Sequence, residues 1–193
     1  MTEIESDVAL MLRVKDGDHE AFRTLIERHQ RAVINVIYRA IGDAWEAEDL
    51  AQRVFIQVFR SAGRYKPTAK FTTWLFTITH NAILNERRRR ARHAAESLEA
   101  MARPDDSDEA GVHLPDTRAA DPAREAAERE LQQRIQQAIE QLPEAQRTAV
   151  ILCRFEGLAY EEIAQVLDCS VSAVKSLLHR ARQTLKEQLR GLY

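Results

Sequence analysis

Lys175, His179, Arg182 and Lys186 recur at spacings of 4, 3 and 4 residues. On a helix that rhythm gathers them on one face. The chemistry open to such a face is recognition, by pairing with phosphates and donating to base edges. On another face of the same segment Val171, Val174, Leu178, Ala181 and Leu185 recur at 3, 4, 3 and 4. A helix that is apolar on one side and cationic on another can rest on a domain while lying in a DNA major groove. A basic amphipathic helix is often only a solvated surface helix, so the elements that position it carry the argument. A short helix is expected from about Glu161 to Leu167, then a turn at Asp168 and Cys169, then Ser170 as the N-cap of the reading helix. Ala164 is small enough to let two short helices cross closely. The whole unit reads as a helix-turn-helix.

The 193 residues suffice for two small domains or one medium one. Gly and Pro are scarce and strong helix formers dominate, and no convincing run of alternating β-branched residues occurs, so the expected fold is all-α. Net charge is −2, which by itself favours no partner, but the charge is distributed in blocks. Residues 60–93 hold nine Lys or Arg against the single acid Glu86, residues 96–130 hold eleven acids against four bases, and residues 171–190 hold five bases against one acid. Two anion-binding surfaces joined by an acidic connector would produce this order. Cys153 and Cys169 are too few and too far apart for a disulfide framework or a Cys-x-x-Cys metal site, and read as buried thiols. The acidic N-terminus lacks the apolar stretch of a signal peptide, and no segment approaches the ~20 apolar residues of a membrane span. A soluble, cytoplasmic protein is expected.

Helices are expected over about 7–15, 19–41, 44–62 and 71–92, with breaks at Gly17-Asp18, Gly42 and Gly63 and with Asp43 as a cap. His29 falls in the apolar stripe of the second of these, where a histidine is more often a satisfied core or rim residue than a ligand. Residues 64–70 form a basic loop with Pro67. These elements define an expected first domain over 7–94. Residues 95–123, with Pro104, Pro115, Pro122 and most of the acidic block, read as a linker. A second domain over 124–193 opens with a helix carrying Leu131, Ile135, Ile139 and Leu142. It continues from Pro143 through a helix to about Glu156 and ends in the helix-turn-helix.

Three stretches taken together resemble the bacterial RNA polymerase sigma factors of the sigma-70 family, extracytoplasmic-function (ECF) group. They are Ala47-Glu48-Asp49-Leu50-Ala51-Gln52-Arg53-Val54-Phe55, then Phe71-Thr72-Thr73-Trp74-Leu75-Phe76-Thr77-Ile78-Thr79-His80-Asn81, then Leu142 through Arg182. The resemblance implies a region 2-like domain, a linker and a region 4-like domain. It implies that the protein binds core RNA polymerase, recognises minus-10 and minus-35 promoter elements and promotes melting, as a non-catalytic subunit without cofactor or metal. It implies docking on the polymerase through Glu46, Asp49, Gln52 and Arg53. Minus-10 contacts fall to Lys66, Lys70, Phe71, Trp74, Asn81, Arg87 and Arg88, where opening the duplex requires a flipped base to be held. For Phe71 and Trp74 core packing is the competing reading. Minus-35 contacts fall to Lys175, Ser176, His179, Arg180 and Arg182. Leu177 stands where many relatives carry Arg, so a relative's preferred sequence does not transfer. The implied partners are core RNA polymerase, promoter DNA as duplex and as melted strand, and an anti-sigma factor, with no membrane insertion. The acidic linker would thread the polymerase or serve as a plain tether.

Two other classes compete. A stand-alone helix-turn-helix regulator would dimerise on a palindrome and leaves the acidic helix and basic loop of the first domain unexplained. An enzyme would need a phosphate-cradling Gly-rich loop, paired His ligands or a nucleophile with its base, and the sequence offers none of these.

Overall fold

The computed structural model describes residues 5–100 and 122–190. Among the described residues all regular structure is helical. An N-terminal bundle comprises α1 (Asp7–Lys15), α2 (His19–Ile41), α3 (Ala44–Ser61) and α4 (Phe71–Ala100), with one 3₁₀ turn at Ala62–Arg64 between α3 and α4. A C-terminal bundle comprises α5 (Pro122–Glu140), α6 (Glu144–Arg154), α7 (Tyr160–Val166) and α8 (Val171–Gln188).

Short polar side chains start the helices by satisfying their orphan N–H groups. Ser6 accepts from the Ala9 amide at 3.2 Å, Asp18 from Glu20 and Ala21 at 2.9 and 3.0 Å, and Asp43 from Glu46 at 2.9 Å. Gly42 ends α2 in the left-handed region, φ +80°, where a Cβ would be strained and would collide with the Glu140 carboxylate of α5. The first bundle buries Leu25, Val33, Ile37, Leu50, Val54 and Leu75, and the second buries Ile139, Leu142, Ile151, Ile163, Val174 and Ala181. His29 is a rim residue: its Nε2 lies 2.8 Å from Asp7 Oδ2 and its ring packs near Phe71.

Two helix ends and the burial of the cysteines differ from the sequence reading. The fourth helix continues past Arg92 to Ala100, into the stretch expected as linker, because residues 94–100 are mostly Ala, Glu and Leu and no Pro intervenes before Pro104. Residues 101–121, which hold most of that linker, lie outside the described residues. The sixth helix stops at Arg154 rather than Glu156. Cys153 and Cys169 are half-buried free thiols rather than fully buried ones.

The two bundles pack directly on each other. Helix α2 meets α5 and α6, and α4 meets α7. At the joint Arg147 of α6 is only 4% exposed. Its guanidinium donates to the carbonyls of Ile139 (3.1 Å), Leu142 (2.8 Å) and Glu140, and across the joint to Ala40 (3.1 Å), the carbonyl near the end of α2. Burial and the nearby Arg87 lower the Arg147 pKa to about 10, against Glu140 and Glu144, so the group is still charged at neutral pH. Gln136 donates to the carbonyls of Tyr38 and Arg39 at 3.4 and 3.3 Å, and the Arg39 guanidinium lies 3.7 Å over the Phe155 ring. Thr148 faces His80 of α4 at 3.4 Å.

One guanidinium therefore closes the end of α5, orients α6 and ties both to α2. Replacing it by an apolar chain of similar length leaves four carbonyls without that donor. Arg147→Met is expected to lower the stability of the full-length protein by about 3 kcal/mol, measured as a shift in the urea midpoint. An unchanged midpoint would show that water or relaxation replaces these bonds.

Candidate nucleic-acid interface

The C-terminal reading helix forms as its pattern requires. Ser170 accepts from the Ala173 amide at 3.2 Å and starts α8. Asp168 adopts φ +49° in the turn, a left-handed conformation that Asp tolerates better than most side chains. Val174, Leu178 and Ala181 are buried on α7 and α6, with Ala164 buried at the crossing. The opposite side of α8 presents Lys175, Ser176, His179, Arg180 and Arg182, all exposed. Ser176 donates to the Ser172 carbonyl at 3.0 Å, which uses its proton and leaves lone pairs outward. Lys175, Arg180 and Arg182 have no carboxylate within ion-pair distance among the described residues. Arg182 also stands at the rim of an apolar groove of about 590 Å³ between α6 and α8, whose floor includes Val150, Cys153, Leu178 and Leu185.

A second cationic surface lies on the loop before α4 and along α4 itself. Lys66 and Lys70 are exposed. Lys70 Nζ is 3.1 Å from the Glu162 carboxylate of α7. Phe71 is 2% exposed and packs against Tyr65, Trp74 and His29. Its ring therefore faces the core and offers no surface to a base, which corrects the stacking expectation for this residue. The cause is position: Phe71 is the first residue of α4, where the chain turns back over Tyr65, itself 1% exposed. Trp74 is half-buried, with its ring 4.9 Å from that of Tyr65. Asn81 and Arg88 are exposed. Trp74, Asn81 and Arg88 are seven residues apart in turn, so they line one face of α4 over about 21 Å. Arg87 sits elsewhere, half-buried and close enough to depress the Arg147 pKa.

The four residues expected to meet the polymerase do not form one free acidic face. Glu46 is paired with Arg90 of α4. Arg53 pairs with Asp49 at 2.9 Å and with Glu86 at 3.3 Å. Gln52 lines a groove of about 590 Å³ between α2 and α3 together with Phe22, Ile26, Ile34, Ile56 and Phe59. Ile56 and Phe59 are 49% and 38% exposed. Helical spacing alone places Phe22 and Phe59 on apolar faces and does not distinguish this groove from core. The available signal was Ile56, an apolar residue outside the i, i+3, i+4 stripe of α3.

Glu86, the lone acid of the basic block, is 3% exposed and holds three arginines: Arg89 at 2.6 Å, Arg53 at 3.3 Å and Arg90 at 3.6 Å. The Arg89 hydrogen bond is the largest of the effects that hold its carboxyl below the usual carboxylate range, despite the opposing cost of burial. The network fixes α3 against α4 and sets the spread of the arginine run.

Comparison with known proteins agrees along most of the chain. A family model described as sigma-70 region 2 matches residues 25–93, and one described as sigma-70, region 4 matches residues 132–185. The chain is similar to the RNA polymerase sigma-H factor of Pseudomonas aeruginosa, with 37% identity over 97% of this chain and 96% of that protein. It is similar to the ECF RNA polymerase sigma-E factor of Escherichia coli K12, with 32% identity over 100% of this chain and 98% of that protein. Among solved structures, the sigma factor RpoE in complex with the anti-sigma factor NepR from Bartonella quintana shares the fold. Its TM-score is 0.69 at 24% identity, over 88% of this chain and 97% of that one.

A carboxyl with a depressed pKa adds stability that is present above its ordinary value near 4.5 and is lost as pH falls through its folded value. Glu86→Gln is expected to lower stability at pH 7 by about 1 to 2 kcal/mol and to make the loss of stability below pH 4.5 shallower. Thermal unfolding followed from pH 7 to pH 3 measures both. Parallel curves for the two proteins would show that Glu86 does not carry that acid dependence.

Proposed function

The chain belongs to the sigma-70 family of RNA polymerase sigma factors, in the ECF group, and on that premise we propose how its two cationic surfaces divide the reading of a promoter. The factor serves promoter recognition and transcription initiation and is not an enzyme. Its partners are core RNA polymerase and promoter DNA. Among the described residues no helix is long and apolar enough to cross a membrane. The protein works in the cytoplasm, where polymerase and promoter are.

In this reading α8 enters the major groove at the minus-35 element. Lys175, Ser176, His179 and Arg180 face base edges, and Arg182 faces a phosphate. The stripe Trp74, Asn81, Arg88 follows the minus-10 strand. Asn81 reads a base edge, Arg88 neutralises phosphate, and Trp74 supplies what aromatic surface there is, with Lys66 and Lys70 flanking it. Arg87 contributes to the field rather than to a contact. The supporting observation is the exposed cationic face of α8, whose opposite face buries Val174, Leu178 and Ala181.

Polymerase docking combines the exposed acid Asp49 with the α2–α3 groove. Gln52, Ile56 and Phe59 meet an apolar partner surface there, and Glu46 and Arg53 act by holding α3 to α4. An exposed apolar groove with a mixed polar rim is the usual anatomy of an interface centre. An anti-sigma factor would compete for the same surfaces.

The test separates melting from docking. Asn81→Ala is expected to reduce open-complex formation about tenfold, the loss of one base-edge contact, while leaving affinity for core polymerase unchanged. Permanganate footprinting reads the first and gel-filtration co-elution the second; equal loss of both would refute the role given to Asn81. The double change Lys175→Ala and Arg180→Ala should abolish the effect of minus-35 base changes but spare transcription from a template already melted at minus-10. Persisting sensitivity to upstream bases would refute the groove assignment.

A further inference from the structure

We propose that Leu177 selects a thymine in the minus-35 element, by laying the exposed part of its side chain against the C5 methyl group that this base alone presents in the major groove. The proposal rests on the minus-35 role given to α8 above.

Leu177 stands on the border between the two faces of α8. At about 100° per residue, Val174 and Ala181 lie roughly 40 to 60° to one side of it, and Ala173 and Arg180 lie roughly 40 to 60° to the other. Val174 and Ala181 are both 0% exposed. Ala173 is half-buried and Arg180 is exposed. Leu177 is accordingly half-buried: part of it packs against the core, and the rest borders the reading residues. Its neighbour Leu178 points inward and is 9% exposed. Val171, the other half-buried aliphatic in the first ten residues of α8, falls within the buried stripe. Leu177 is therefore the aliphatic side chain that this part of the helix brings to the edge of its reading face.

Its place along the helix suits a base contact. Ser170 caps α8, which begins at Val171, so Leu177 lies in the second turn, about 9 Å from the first residue. The N-terminal part of the second helix is the part of a helix-turn-helix that meets base edges. Around Leu177 the chemistry is polar. Arg180 carries donors that suit the acceptors of guanine, and Ser176, whose proton goes to the Ser172 carbonyl, turns lone pairs outward. Leu177 neither donates nor accepts. A polar base edge set against it would lose water and gain no partner, which is unfavourable. A methyl group set against it loses only water, which is favourable. Adenine, guanine and cytosine offer donors and acceptors in the major groove, and thymine adds a methyl group to its one acceptor. Ala173, one turn earlier, contributes a small apolar surface and no bulk that would hold the base away. Leu177 thus adds to α8 a discrimination that its cations and hydroxyls do not supply.

The experiment removes the methyl group and nothing else. Promoter fragments are made in which each thymine of the minus-35 element, on either strand, is replaced in turn by deoxyuridine. Initial transcription rates at limiting template are measured with core polymerase and the full-length protein. One replacement should lower the rate about fourfold, the worth of burying a single methyl group, and the others should leave it unchanged. Leu177→Ala should bring the thymine-to-deoxyuridine ratio at that position to about one, while Leu177→Met, which keeps an apolar side chain of similar length, should hold it above about twofold. The ratio is taken within each variant, so a loss of folding or of overall activity cancels. A minus-35 element that responds to base-pair changes but to no deoxyuridine replacement would overturn the proposal. So would a methyl effect that persists in Leu177→Ala. Indifference to every base change in that element would overturn the minus-35 role of α8 itself, and the proposal with it.

Discussion

A buried guanidinium sets the arrangement of this molecule. Arg147 finds its hydrogen-bond partners among backbone carbonyls at the ends of two helices, three in its own bundle and one at Ala40 in the other. Helix ends leave carbonyls unsatisfied, and a buried charge is tolerated only where it is hydrogen-bonded. Each requirement answers the other. The C-terminal end of α5, the tilt of α6 and the seat of α2 are fixed together, and α6 in turn carries α8.

From that joint outward the two cationic surfaces differ in kind. The face of α8 is built like a handle: buried aliphatic residues on one side, exposed cations on the other. The α4 surface is built like a network. Glu86 gathers Arg53, Arg89 and Arg90, Glu46 takes Arg90, and Glu162 takes Lys70. A free face suits intact duplex, whose phosphates and groove edges are already in place. On the roles proposed above, the α4 surface, whose cations are partly neutralised by carboxylates, would bind strand in exchange for those pairs.

Much of this was legible in the sequence because the signals are local. Ser6, Asp18, Asp43 and Ser170 announce helix starts, and Gly17 and Gly42 take positive φ where breaks were expected. The helix-turn-helix followed from spacing alone. What was not legible is the joint, because its contacts join residues far apart in the chain: Thr148 with His80, Thr73 with Glu162, Arg147 with Ala40. No periodicity encodes such pairs. Arg147 did carry a weak signal, since it lies four residues before Ile151 on the apolar face of α6. Phe71 and Phe59 show the same limit from opposite sides. Helical spacing says that an aromatic is on a face but not whether another element covers it, and the structure covers Phe71 while leaving Phe59 at the groove.

The chain belongs to a family that tells polymerase where to start, and we propose that it does so by reading two separated stretches of DNA with two different helices. Mapping transcript 5′ ends from genomic fragments, with purified core polymerase in the presence and absence of the protein, addresses it most directly. A new set of discrete start sites is expected that appear only with the protein and share two sequence blocks upstream, one near minus-10 and one near minus-35. Start sites unchanged by the protein, or new ones sharing no upstream sequence, would contradict it.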